Sequence, residues 1–338
     1  MRAVFLHSGW RTGSTYFWNK FRRHERCLAF YEPFNEFLGS LSPSDVFLAN
    51  APQEPFHHPA LEQPYFHEYL PILGPQGHPL FRDEFSCRNY FVTDQPLDDQ
   101  RAYLESLLTL AERQQRVPVL GCVRTLGRVV WLQRTFDTVN IALIRSPLSQ
   151  WMSGQHLAEQ GYRFFDRMHF LVLSQAQGSA IAAAHARHHG IPRLDNLPAA
   201  GMHTALSDMV EASPASMRLE VFLSVYYLSY MAALPHADLV VDIDRLSAEP
   251  GYRATVRTRI ADLTGIDLDF ADARTPRYKI AAGSELAFSL DDVRGAIAAS
   301  LDPLWGDGGG SVGEETGAAR AVIEGKLADD CDFLSARP

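Results

Sequence analysis

Residues Val4–Trp18, VFLHSGWRTGSTYFW, decide how the rest of the chain is read. Ala3–Leu6 is an apolar strand. It runs into a short loop, His7–Gly13, and a helix opens at Ser14. A strand, a glycine-bearing loop and a helix N-terminus together form an anion site. The loop's N–H groups point into it and the helix dipole favours negative charge there. Ser14 and Thr15 add hydroxyl donors, and Arg11 adds a cation able to grip two oxygens at once. On the bland alternative this is an ordinary strand–turn–helix with small polar capping residues.

Working outward, Ser14–Arg23 predicts an amphipathic helix, and Leu28–Tyr31 (LAFY) a second strand that delivers Glu32-Pro33-Phe34-Asn35-Glu36 at its carboxyl end. Leu97–Arg116 has helical spacing, with Leu104, Leu107, Leu108 and Ala111 on one face. Pro118–Cys122 is a strand, Leu126–Phe136 a helix and Val139–Ile144 a fully buried strand. Pro147 opens another helix, where its missing N–H costs nothing. Met217–Leu234 reads as a long helix, Ala237–Ile243 as a strand, and Ala254–Thr264 as a helix closed by Gly265. Strands alternating with helices predict an α/β fold, a three-layer sandwich with a central parallel sheet.

Two blocks interrupt the alternation. Residues 40–96 are rich in proline, histidine and aromatics and predict an irregular insertion or lid; residues 160–215 form a second variable block. The expected organisation is a single domain over 1–290 with these insertions. A C-terminal tail, 291–338, follows it and is partly irregular through Gly306–Gly313.

The 338 residues can bury a large core, and 46% hydrophobic with 21% charged residues is ordinary for a soluble globular protein. Thirty-one Lys+Arg against 40 Asp+Glu give a net charge of −9, which argues against an extended nucleic-acid or anionic-membrane surface. A compact basic pocket for a small anion needs less. Cys27, Cys87, Cys122 and Cys331 show no C-x-x-C spacing and read as reduced thiols. The first strand begins almost at Met1, with no signal peptide ahead of it, and no apolar run approaches the ~20 residues of a membrane helix. A cytoplasmic, bacterial enzyme is the expectation.

The loop resembles a phosphate-binding P-loop but departs from it. Three residues separate Gly9 and Gly13 where the Walker pattern has four, and Ser14 stands where that pattern has lysine. Arg11-Thr12-Gly13-Ser14-Thr15 instead resembles the 5′-phosphosulfate loop of sulfotransferases that use PAPS (3′-phosphoadenosine 5′-phosphosulfate): a cation, a hydroxyl residue, glycine and two hydroxyl residues. Farther on, Arg145 follows a buried strand, Pro147 starts a helix, and Ser153 lies eight residues after the arginine. That spacing resembles the same family's 3′-phosphate motif. Tyr31-Glu32-Pro33 resembles a segment of carbohydrate sulfotransferases whose glutamate is the general base.

The resemblance implies a P-loop-like fold and a site made of Arg11, Thr12, Gly13, Ser14, Thr15, Arg145 and Ser153 for PAPS and its product PAP. Glu32 and Arg11 are the implied catalytic residues, with Glu36 in reserve and no metal required. It implies a carbohydrate or other small hydroxylated acceptor. Pro33 predicts an extended conformation for Glu32, and Arg11 and Arg145 are its expected cationic neighbours. Arg124 sits near a strand end, as an acceptor or cofactor contact or as half of an ion pair. Arg274, Arg277 and Lys279 are candidates for the charge of the family's late cationic loop. His57-His58 and the trio His185, His188 and His189 suggest a metal, but in an Ala-rich stretch a flexible, solvated face is the expected reading of the trio. The rivals are an ATP-dependent kinase of the same fold and a catalytically inactive nucleotide-binding regulatory protein.

Overall fold

The computed structural model describes residues 2–48, 58–175, 179–194, 197, 199–276, 291–292, 294–296 and 314–335. Its opening matches the reading of Val4–Trp18: strand β1 spans Ala3–His7 and helix α1 spans Ser14–Arg22. Strands β2 (Cys27–Tyr31), β3 (Val117–Cys122), β4 (Thr138–Ile144) and β5 (Leu239–Asp242) complete a sheet in the order β2-β3-β1-β4-β5. Every pairing is parallel. Helices α2 (Pro43–Leu48), α3 (Asp98–Arg113) and α4 (Val129–Thr135) precede β4. Among the described residues, α5 (Pro147–Ala158), α6 (Phe164–Gln175), α7 (Ala180–His188), α8 (Ala199–Ala212) and α9 (Ala215–Ala233) lie between β4 and β5. After β5 come α10 (Ile243–Ala248), α11 (Pro250–Thr264) and α12 (Glu314–Ser335).

The sheet belongs to a compact unit made of Met1–Ser86, Val92–Ile144 and His236–Thr275. Side chains alternate along a strand, so each of its faces gathers its own core. Ala3 and Phe5 join Leu104 and Leu107 of α3 and Trp131 and Leu132 of α4. Val4 and Leu6 join Phe17, Trp18 and Phe21 of α1 and Val256 and Ile260 of α11. The Trp18 indole lies so close on Gly121 that a Cβ there would sit 2.7 Å from the ring. The indole N–H donates to the Ala29 carbonyl at 3.1 Å, fixing α1 over β2 and β3. Gly265 closes α11, as its place in the sequence predicts, and does so at a left-handed φ of 69°.

The described residues of the stretch 40–96 are irregular, as expected, but they form core and not a lid. Leu41, Val46, Phe66, Tyr69, Phe81, Phe85 and Val92 are buried in the core of the first face. Its aromatics supply apolar area without helical or strand periodicity, so the sequence conceals that it is core. Arg128, fully buried, donates to the Phe85 and Ser86 carbonyls at 2.7 and 2.9 Å and ties this stretch to the sheet's own helices.

The second unit comprises Cys87–Phe91, Arg145–Pro235 and Pro276–Pro338. In it the variable block 160–215 holds α6, α7 and α8: α6 and α7 pack on α9, and α8 packs on α6. Phe170 and Leu173 of α6 and Phe222 and Tyr226 of α9 are buried. The tail contributes α12, which packs on α5 and α9. His57, Arg277, Lys279 and the run Gly306–Gly313 lie outside the described residues. Among the described residues no helix is long and apolar enough to cross a membrane.

Candidate active site

The loop after β1 turns on two left-handed residues, Arg11 at φ 65° and Gly13 at φ 98°. Left-handed residues among right-handed ones turn successive N–H groups to one side, the geometry of an anion nest. A side chain at Gly13 would be strained, and its Cβ would stand 3.4 Å from Ile243 Cγ2. Thr12 is buried and donates its hydroxyl to the Gly9 carbonyl at 2.8 Å, bracing the loop from inside. Ser8 ties it to β3, its N–H donating to the Cys122 carbonyl at 3.0 Å. Gly13 starts α1 with no side-chain cap, so the first-turn N–H groups at Ser14 and Thr15 face the loop side without a protein oxygen supplied by the cap residue.

Parallel order sets three strand ends side by side. β1 ends in this loop, β3 continues to Arg124 and β2 to Glu32. Arg124, 1% exposed, donates from Nη1 to Glu32 Oε2 at 2.6 Å and from Nη2 to Glu36 Oε2 at 2.8 Å. Its guanidinium also lies 5.5 Å from the centroid of the Trp10 ring. Asn35 Nδ2 donates to Glu32 Oε2 at 3.0 Å. The cation on Glu32 within this unit is Arg124 and not the expected Arg11.

Glu32 is not extended either. Its φ is +39°, although it precedes proline. The turn explains the departure: Glu32 N–H closes on the Gly121 carbonyl at 2.8 Å, and the Asn35 N–H closes on the Glu32 carbonyl at 2.9 Å. A short bend held at both ends, plus Arg124 gripping Glu32 and Glu36 together, overrides the local preference. Strain kept at such a place is a feature of functional sites.

Tyr31 joins the two features. Its hydroxyl lies 3.4 Å from Thr15 Oγ1 on the first turn of α1. Burial first, then the charge of Glu32, raise its phenol well above the usual value, so it stays protonated. His7, at the end of β1, is buried between Thr125 Oγ1 at 2.8 Å and Asn140 Oδ1 at 3.1 Å. Burial lowers it to about 4. Asn140 spends its amide on Thr138, so His7 Nε2 donates to Asn140 and Nδ1 accepts from Thr125. His7 is a neutral strut beneath the loop.

Arg145 and Ser153 belong to the second unit. Both are buried. Arg145 Nη2 donates to the Pro276 carbonyl at 3.1 Å, and the Tyr226 hydroxyl donates to the Arg145 carbonyl at 2.9 Å. Ser153 lies two turns into α5, as its spacing predicts. A residue that sequence reasoning missed stands at the start of the same helix. Asp330 of α12 accepts from Ser146 Oγ and, at 2.8 Å, from the Leu148 N–H. Nothing near Asp330 in the sequence signals that role; only the fold of the tail brings it there. Arg274 turns back on its own backbone, to the Ala271 and Ala273 carbonyls. The trio His185, His188 and His189 is not a solvated face: His185 and His189 are buried against α9, and only His188 is exposed.

No family model, curated protein or solved structure matches this chain.

Proposed function

We propose that the chain is a PAPS-dependent sulfotransferase of P-loop-like fold, a cytoplasmic enzyme acting on a carbohydrate or other small hydroxylated acceptor. One observation carries the reading: three adjacent parallel strands end in an anion-type loop, a buried arginine and a strained glutamate that the arginine holds. Ligands bind at such carboxyl ends in open α/β sheets.

PAPS supplies the activated sulfuryl group. Arg11, the Gly13–Thr15 amides and the Ser14 hydroxyl hold its 5′-phosphosulfate and stabilise charge that builds on the leaving phosphate. Arg145 and Ser153 take the 3′-phosphate. Glu32 accepts the acceptor's hydroxyl proton as the acceptor oxygen bonds to sulfur and the bond from sulfur to the 5′-phosphate oxygen breaks. Arg124 fixes the carboxylate's direction, and Asn35 shares the load. The acceptor class rests on Tyr31-Glu32-Pro33.

The test is transfer of labelled sulfuryl from PAPS to a library of sugars and small alcohols with a metal chelator present. Transfer that vanishes in Glu32→Gln supports the reading. Magnesium-dependent ATP turnover without sulfuryl transfer replaces it with a kinase, and tight PAP binding with no transfer replaces it with a regulatory protein.

A further inference from the structure

We propose that His188, His189 and Glu220 form a binding site for a divalent first-row transition cation of the zinc class. The site lies wholly in the second unit, where the end of α7 meets α9, and it stands independently of the sulfuryl-transfer reading.

One ligand atom from each of the three residues lies within 4.8 Å of the other two. His189 Nδ1 is 4.0 Å from Glu220 Oε2. Two side-chain pairs with helical spacing face each other: His185 and His189 at the end of α7, Glu220 and Ser224 on α9. Ser224 Oγ lies 3.0 Å from His185 Nδ1 and 2.9 Å from His189 Nε2. The hydroxyl thus engages the ring nitrogen of His189 that faces away from Glu220.

A metal-bound imidazole offers one nitrogen's lone pair and anchors the other through its N–H. In the tautomer that binds a metal, His189 Nε2–H donates to Ser224 Oγ and the Ser224 O–H donates to His185 Nδ1, which leaves the lone pair of His189 Nδ1 on the side of Glu220. The carbonyl end of a helix also favours a cation.

Two imidazoles and one carboxylate are a donor set that zinc takes with one position left for water or another ligand. Calcium and magnesium prefer all-oxygen sites. A tetrahedral ion with bonds of ~2.1 Å holds its ligand atoms about 3.4 Å apart, somewhat closer than these. Exposed His188 and partly exposed Glu220 are the side chains that can close the gap, while Ser224 keeps His189 in place.

The experiment uses untagged full-length protein stripped with a chelator. Zn²⁺ is titrated by calorimetry, and Co²⁺ by its visible absorption. The expected result is one equivalent bound, with low-coordinate Co²⁺ bands. Glu220→Gln and His188→Ala should each weaken Zn²⁺ by about tenfold or more. Both side chains reach solvent, so both variants should keep the wild-type melting temperature without metal. His203→Ala, an exposed histidine on α8, should bind as wild type does. No stoichiometric binding, or affinity unchanged in both Glu220→Gln and His188→Ala, would overturn the proposal. These readouts concern metal alone, so they stand or fall separately from sulfuryl transfer.

Discussion

Arg124 donates to Glu32 at 2.6 Å from a guanidinium that is almost wholly buried, and its other arm reaches Glu36 at 2.8 Å. A buried cation with two carboxylates is a unit whose parts fail unequally. Glu32→Gln keeps an acceptor for Arg124 but exchanges a charged hydrogen bond for a neutral one, at about 1–2 kcal/mol of stability. Arg124→Ala leaves two carboxylates facing each other without their cation and should cost about 3 kcal/mol or more. Urea unfolding of the two variants gives the order directly; an Arg124→Ala protein as stable as Glu32→Gln would mean that the pair is not a unit. Sulfuryl transfer should fall by roughly 10²-fold in Glu32→Gln and far less in Glu36→Gln.

The left-handed backbone at Arg11 separates strain from chemistry. Arg11→Ala removes the cation and retains the strain, whereas Arg11→Gly removes both. The glycine variant should therefore be about 1 kcal/mol more stable than the alanine variant. Both should lose turnover more than PAP affinity, because the cation acts most strongly as the leaving phosphate develops charge. Alanine and glycine variants of equal stability would show that Arg11 is unstrained; wild-type turnover in either would make the loop merely structural.

Acid should destabilise the fold through His7. Burial lowers it to about 4, below the ordinary 6.5 of the unfolded chain. Between those values the unfolded chain binds a proton that the folded chain refuses. Stability is thus full above pH 6.5 and falls as pH drops toward 4, by about 3 kcal/mol for this ring. Denaturation midpoints measured from pH 7 to 4 should decline, and less steeply in His7→Asn. Parallel slopes for the two proteins would remove His7 from the account.

Asp330 tests how far the tail belongs to the fold. Its carboxylate takes the Leu148 N–H and the Ser146 hydroxyl at the start of α5. Asp330→Ala should cost about 1–2 kcal/mol, the range for a lost N-terminal cap. Asp330→Asn should recover part of it. Equal melting temperatures for wild type and Asp330→Ala would show that the contact contributes nothing.

The opening strand, loop and helix were legible because their determinants are local: an apolar run, glycines where φ turns positive, and hydroxyls at a helix start. The strands β2 to β5 followed from the same apolar runs. The irregular backbone of 40–96 was legible, but its place in the core was not, because Phe66, Tyr69, Phe81 and Phe85 enter the core from backbone that has no period to read. Glu32 misled because Pro33 speaks for an extended residue, while Gly121, Asn35 and Arg124, distant or across a turn, impose a left-handed one. Arg124 showed in the sequence as a basic residue at a strand end, but its two partners did not. The histidines of α7 showed their helical spacing. What the sequence concealed was Ser224 and Glu220, about 35 residues on, which only packing brings to them.

The central claim is that the chain grips PAPS, and the binding of PAP against 5′-AMP measures it most directly. Arg145 and Ser153 have the spacing of a 3′-phosphate pair, and a charged phosphate gains an arginine and a hydroxyl. In calorimetry PAP should bind at least about tenfold more tightly than 5′-AMP, or about 1.4 kcal/mol. Arg145→Ala should erase that margin while leaving 5′-AMP affinity near wild type. Equal affinity of the wild-type protein for the two nucleotides would contradict the account.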